Sequence, residues 1–472
     1  MKQKGDTGEK RNSSQKNNTN GVKTLLGDPK KAIIKLAIPM ILAMSVNTIY
    51  NLADALWVSG LGPDALASVG FVYPFFFMLM AIAAGLGVGG GAAISRKIGE
   101  KNKQGADNVG VHTLILTIIL SIIFTVPLIL LARPIFQSIG AGETLTWTVS
   151  YAQILFAGTI FIFFSYVANA ILRGEGDARR AMYALAFGAG MNIILDPIFI
   201  YTLKLEVAGA AYATVLSMAV SSAVLFYWLF HKKDTYISFS FKGFNFNKNI
   251  LIDILRVGLP AMLMQLSMSL MMLILNFVIV IVNSTDGIAV YTTGWRISTI
   301  AILPLLGIAT AVVSVAGAAY GAKSYNKLKT ALVYSIKIGL IIEIVIAFLI
   351  FILAPQITMV FTQAKDSARI VDDLELFLRI MCLFYPTVAF GMLSSAMFQG
   401  IGKGFYSLLA TVLRAIVLTS IFAAFFAFYL NMGLEGIWWG IVLANVIGSI
   451  IAFLWGQLHV RKLITKHEPL TK

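Results

Sequence analysis

A chain of 472 residues that is 58% hydrophobic and only 12% charged, with a mean hydropathy of +0.83, lies outside the balance of a soluble globular protein. Its formal charge of +15 reads as a topology signal and an affinity for anionic headgroups, because no basic stripe interleaved with aromatics points to nucleic acid. One cysteine, Cys382, excludes an intrachain disulfide, and His112, His231, His459 and His467 lack ligand spacing, so no cofactor, transition metal or enzymatic site is expected.

Residues 1–30 are rich in Lys, Asn, Ser, Thr and Gly without an apolar core, and read as a disordered basic tail on the cytoplasmic side rather than a signal peptide. Beyond it, apolar runs of about 20 residues repeat along the chain, each long enough to span about 30 Å of hydrocarbon. The ten-residue alternation of a membrane barrel is absent. The fold class is therefore an all-α polytopic membrane protein with twelve transmembrane helices. Six fall in 31–230 and six in 250–460, around a polar cytoplasmic linker at 231–249, with a second tail at 461–472. Most of the 37 basic residues lie on one side, while Arg133, Lys204, Lys365, Arg369 and Arg379 fall on the other. The positive-inside rule then puts both termini in the cytoplasm.

The halves echo each other. Leu36-Ala37-Ile38-Pro39 opens the first and Val257-Gly258-Leu259-Pro260 the second; Asn169 to Gly176 is answered by Ser395 to Gly402, and Gly99 by Gly321. Six spans per half make the repeats parallel, forming two pseudo-symmetric lobes.

Two of the 22 acids, Asp54 and Asp196, sit inside otherwise apolar spans. A carboxylate there costs a few kcal/mol on the lenient insertion scales, and it marks an ion or proton path more often than a structural staple. The second half places apolar residues near the matching positions, Leu275 and Phe422, so the fold does not require acids there. Spans 1 and 5 both run outward, leaving each aspartate about two turns from the external end. Thr214 lies about two turns into the returning span 6, and Asn192 precedes Asp196 by four residues on the same helical face. Pro197 removes the donor for the carbonyl of Ile193. Such oxygens suit a hard cation like Na⁺, yet paired carboxylates also share a proton, so the residues leave Na⁺ and H⁺ open.

Asn47, Tyr50 and Asn51 extend the polar face of span 1, and Pro39 permits bending of that helix. Tyr151 and Asn169 add polar groups in span 4. Gly85 to Gly91 has no Lys-Ser/Thr after it and reads as close helix packing, not a phosphate loop. Glu343, Arg296 and Arg414, the buried charges of the second half, are expected to pair with one another or snorkel.

At Tyr50-Asn51-Leu52-Ala53-Asp54, Gly60-Leu61-Gly62, Asn192 to Pro197 and Gly209 to Thr214, the chain resembles the multidrug and toxic compound extrusion (MATE) transporters, most of all their archaeal and DinF-like branch. The likeness covers all twelve spans. It implies two six-helix lobes arranged as a V and export of bulky, often cationic organic compounds by alternating access, in exchange for Na⁺ or H⁺. It carries cation-site roles onto Asp54, Asn192, Asp196 and Thr214, cavity roles onto Tyr50, Tyr151 and Asn169, with Asn47 on the same face, and a hinge role onto Pro39. Other branches use an acid in span 7, where this chain offers only Gln265 and Asn276, so coupling is expected in the first lobe.

The expected setting is the plasma membrane, with small organic substrates and the lipid bilayer as partners and a monomeric state. Two rivals stand beside this reading. A lipid-linked oligosaccharide flippase of the same superfamily would line its cavity with more cations than Arg296 and Arg414. An intramembrane aspartyl protease would want Tyr-Asp and Gly-x-Gly-Asp, where this chain has Ala53-Asp54 and Leu195-Asp196.

Overall fold

A peptide group in hydrocarbon has no water to bond, so each apolar run satisfies its own N–H and C=O groups by coiling into a helix. The structure, a computed structural model, describes residues 19–232, 234–240, 244–362 and 369–467, without the side chains of 283–285. Its helices in chain order are α1 (Asn20–Leu26), α2 (Pro29–Ser59), α3 (Pro63–Gly99), α4 (Lys103–Ser138), α5 (Leu145–Ala157), α6 (Thr159–Gly174), α7 (Ala178–Pro197) and α8 (Glu206–Phe226), then α9 (Lys248–Ala301), α10 (Leu303–Gly321), α11 (Tyr325–Phe361), α12 (Val371–Met381), α13 (Phe384–Gly400), α14 (Gly404–Val412), α15 (Thr419–Ala424) and α16 (Gly433–His467). Among the described residues ten segments are long and apolar enough to cross a membrane, and two further pairs, bent by 46° (Gly142–Ala157 with Thr159–Gly174) and 51° (Val371–Met381 with Phe384–Gly400), raise the total to twelve if each is one span. That agrees with the count read from sequence.

Of the tail expected to be disordered over 1–30, residues 1–18 lie outside the described residues, and so do 468–472 of the second tail. Asn20–Leu26 instead form α1, where the Thr19 hydroxyl accepts from the Val22 N–H at 3.3 Å and Val22 and Leu25 are buried. About two turns of capped helix with two buried side chains is too short a pattern to stand out from a polar tail.

By its internal contacts the chain divides into two compact units, residues 1–27 with 38–262 and residues 28–37 with 263–472. One boundary lies between α1 and α2, and the other two fall inside helices, just before Pro39 in α2 and just after Pro260 in α9. In the first unit the start of α9 lies along α3: Arg96 Nη2 bonds Asp253 Oδ1 at 2.8 Å, and Cβ atoms added at Gly85 and Gly89 would approach Gly258 O and Ile254 O to 2.8 and 2.4 Å. Gly87 and Gly91 meet Ala170 on α6 in the same way. The glycine run is a packing face, as its sequence context suggested. In the second unit, the start of α2 sets Lys30 Nζ 5.7 Å from the Tyr334 ring centre.

The repeat is written into the backbone. Positive φ recurs at Lys101 and Lys323, Gly176 and Gly402, Lys204 and Asn431, and Glu206 and Gly433. Each unit also has a π turn where its fifth span ends, Ile198–Thr202 and Phe425–Tyr429. Two further π turns among the described residues stand alone: Tyr227–His231 ends the sixth span, where α16 is regular, and Leu413–Leu418 has no counterpart in the first unit, where α7 is regular through 187–192. A π turn accommodates one extra residue in a helix. Gly402 accordingly follows Gly176 by 226 positions, whereas Gly436 follows Gly209 by 227. The shift moves the counterpart of Asp196 from Phe422 to its neighbour Ala423, which is fully buried.

Candidate functional site

Small residues bring α7 and α8 together. A Cβ on Gly209 would fall 2.7 Å from the Phe199 carbonyl, and one on Gly188 would fall 3.2 Å from Ser221 Cβ, while Ser221 Oγ donates to Ala184 O at 3.0 Å. At that separation Asn192 on α7 and Thr214 on α8 meet. In one amide orientation Asn192 Nδ2 donates to Thr214 Oγ1 at 3.4 Å. Turned over, the amide nitrogen donates to Asp196 Oδ2 at 2.8 Å and its oxygen accepts from the Thr214 N–H at 3.3 Å, the arrangement that satisfies both ends.

Asp196 is completely buried, and its Oδ1 has no protein donor. Asp54 on α2 comes within side-chain hydrogen-bonding contact of it. Two carboxyls in contact need a proton between them or a cation in its place. Tyr50, one turn earlier on α2, lies beside the Thr214 side chain and interacts electrostatically with both acids. Tyr151 on α5 is buried and interacts electrostatically with both acids. The structure thus brings together Asp54, Asn192, Asp196, Thr214, Tyr50 and Tyr151.

It does not bring in every residue singled out. Asn47 is exposed two turns before Asp54, with no bond to the cluster. Asn169 is buried on α6, where Nδ2 donates to Ser165 O at 2.9 Å and Oδ1 has no partner. Pro39 stands at the boundary of the two units inside α2.

Tyr201 is a participant that sequence reasoning passed over. Its hydroxyl donates to Trp57 O at 2.6 Å, fastening the end of α2 to the π turn after Pro197. A tyrosine near a span end looks like an interface anchor, and only the Asp-Pro break hints at an altered helix beneath it.

The site offers carboxyl, amide and hydroxyl oxygens and no sulfur or imidazole, which suits a hard cation or a proton. Among the described residues, no group of three His, Cys, Asp or Glu is placed to hold a metal ion.

The charges singled out in the second unit, expected to pair with one another or snorkel, are joined by no ion pair among the described residues. Glu343 is completely buried with both oxygens unpartnered, close to the Tyr385 hydroxyl, which bonds Ser298 Oγ at 3.0 Å. Arg296 is exposed, and Arg414 bonds Asn445.

A second polar cluster, unsuspected from sequence, lies where the segment after α8 folds back on the first unit. Ile237 N–H donates to Glu175 Oε2 at 3.0 Å, Ser238 N–H to Asp107 Oδ1 at 2.7 Å, and Asn247 N–H to His112 Nε2 at 2.9 Å. Glu175, in the turn between α6 and α7, is 2% exposed, and burial pushes its carboxyl from 4.5 up to about 8 against the opposing Ile237 N–H.

With this geometry in hand, the comparisons fall into place. The MatE family model matches residues 39–198 and 260–426, one stretch in each half. Multidrug export protein MepA of Staphylococcus saprophyticus subsp. saprophyticus is 27% identical over 435 residues, covering 90% of this chain and 92% of the relative. A crystal structure of a MATE in complex with MaL6 superposes with a TM-score of 0.93 at 50% identity, covering 94% of this chain and 99% of that one. A multidrug resistance MATE family transporter of the MOP superfamily in an outward-facing conformation gives a TM-score of 0.91 at 50% identity, with the same coverage.

Proposed function

We infer, because the chain belongs to the MatE family of multi-pass membrane transporters, that it exports organic compounds by exchanging them for Na⁺ or H⁺ at the Asp54–Asp196 pair. The family is one of multidrug export transporters, so an intramembrane protease is not in question. The single observation that carries the exchange is the carboxyl contact itself, which leaves the fully buried Asp196 with an orphan oxygen.

Burying two carboxylates side by side without a counter-charge costs several kcal/mol. A proton or Na⁺ removes that penalty and lets apolar helices close around the pair, so occupancy biases a conformational equilibrium. Asn192 holds Asp196 in place, and Thr214, Tyr50 and Tyr151 complete the polar wall. Asn47 and Asn169 line the substrate path farther along α2 and α6. Pro39 acts as the hinge of α2, a role supported by its place at the boundary between contact units. Substrates are bulky, often cationic organic molecules. The protein works as a monomer in the plasma membrane, with both termini cytoplasmic, a topology supported by the bias of its basic residues. The branch placement, archaeal and DinF-like, remains part of this proposal. A flippase reading lacks the cluster of cations that a pyrophosphate headgroup needs, since Arg296 and Arg414 stand apart.

The test is export of a cationic dye from proteoliposomes under a Na⁺ gradient and, separately, a pH gradient. Asp54→Asn and Asp196→Asn are each expected to reduce driven export to the background rate while the purified proteins retain the wild-type melting midpoint. Undiminished export by both variants would remove the coupling site from this pair.

A further inference from the structure

Arg414 lies near the middle of the span Gly404–Tyr429, where a guanidinium in hydrocarbon is costly unless it is paired or faces water. It does not turn to the lipid. Cβ atoms built on Gly448 of α16 and Gly391 of α13 would meet its aliphatic stem at 2.6 and 3.4 Å, so the side chain runs inward between these helices. There Nη1 donates to Asn445 Oδ1 at 2.6 Å. The amide orientation of Asn445 is fixed in turn by Nδ2 donating to Thr387 Oγ1 at 2.7 Å and to Phe384 O at 3.4 Å. Among the described residues no carboxylate lies within ion-pair distance of Arg414, and its remaining N–H groups make no side-chain hydrogen bond.

The surroundings are built for this side chain. Gly448 takes the place that Ser221 holds in the first unit, and Arg414 the place of Gly188; the large and small partners have changed sides. Arg414 also sits in a π turn that the first unit lacks, Leu413–Leu418, a distortion that commonly accompanies a functional position.

We propose that Arg414, oriented by Asn445 and Thr387, forms an anion subsite in the second unit that receives the sulfonate or carboxylate group of an amphiphilic organic substrate. The planar fork of a guanidinium matches such a group through two parallel N–H···O bonds. The inference rests on the export reading and extends its substrates from cations to zwitterionic and anionic amphiphiles. Asn445 and Thr387 are positioning residues; Arg414 touches the substrate.

Two dyes sharing a xanthene core test the assignment: sulforhodamine 101, which carries sulfonates, and the cation rhodamine 6G. Their binding to the purified full-length protein is followed by fluorescence polarisation. Arg414→Gln is expected to weaken sulforhodamine 101 by about tenfold or more, the scale of a lost hydrogen bond to a charged group, while rhodamine 6G changes by less than about twofold. Arg414→Lys, which keeps the charge without the fork, should fall between, and it decides the matter if the Gln variant does not fold. Failure of wild-type protein to bind sulforhodamine 101, or equal weakening of both dyes, overturns the subsite. Failure of the cation-driven export assay would count against the exchange reading alone, because dye binding needs no gradient.

Discussion

The pocket around Asp196 and the region around Ala423 share a backbone plan and carry opposite chemistry. Both follow a short loop after a bent span, both end in a π turn, and both are pressed close by a glycine, Gly209 or Gly436, on which an added Cβ would fall 2.7 Å from the carbonyl carbon of Phe199 or Phe426. Yet Asp54, Asp196 and Thr214 face the counterparts Leu275, Ala423 and Ile441, all buried and apolar. The second unit instead carries a cation, Arg414, at the position of Gly188. Duplicated scaffolds hold position well and chemistry loosely, so one unit can hold a pair of carboxyls and the other an independent polar contact. The division of labour follows from side chains that the fold tolerates but does not demand.

The most forceful way to break this comparison is to move the acid across it. Ala423→Asp would bury a carboxylate where no amide or second acid awaits it, at a cost of at least about 2.5 kcal/mol. A sharply reduced yield from the membrane and a lower melting midpoint are expected. Wild-type stability would mean that the second unit is already equipped for an acid. A milder exchange concerns the reversed pair. Gly448→Ser places a Cβ 2.6 Å from Arg414 Cβ and should destabilise the protein by about 1–3 kcal/mol of overpacking. Adding Arg414→Gly recreates the first unit's own pair and is expected to recover part of the lost melting midpoint; no recovery would show that the two sites are not structurally reciprocal.

The smallest effect is one of pH and belongs to the first unit alone. Glu175 is pushed up to about 8 by burial, so the folded turn binds a proton that an exposed carboxyl, at 4.5, has released. Its contribution to holding the segment at Thr235–Ser238 is complete below about 4.5 and is lost as pH rises through about 8. Hydrogen exchange at Ile237 should accelerate between about pH 5 and 8 beyond the intrinsic base-catalysed increase, and the excess should level off above about 8. Glu175→Gln should flatten that excess, and an unchanged excess in the variant would assign it to another group.

Much of the candidate site was legible because it is local. Asn192 and Asp196 share a helical face through four-residue spacing, and matched depths in spans 1 and 5 bring Asp54 beside them. Thr214 follows from counting turns in the returning helix. Asn169 looked equally eligible, but its amide turns back on Ser165 O, a choice made by a rotamer. Glu343, Arg296 and Arg414 suggested pairing or snorkelling, and no ion pair joins them among the described residues. Glu175 gave no signal at all, since a loop glutamate is ordinarily solvated and only the returning segment buries it.

By itself the sequence determined the membrane class, the helical spans, the internal repeat and the acids that belong together, since hydropathy, spacing and motif similarity are properties of neighbouring residues. Tertiary structure decided the rest. It cut the contact units inside α2 and α9 at Pro39 and Pro260, inserted one residue through a π turn, and sent Arg414 inward toward Asn445. Those outcomes depend on which side chains meet across helices distant in the chain, and pattern along one strand of sequence carries no record of that meeting.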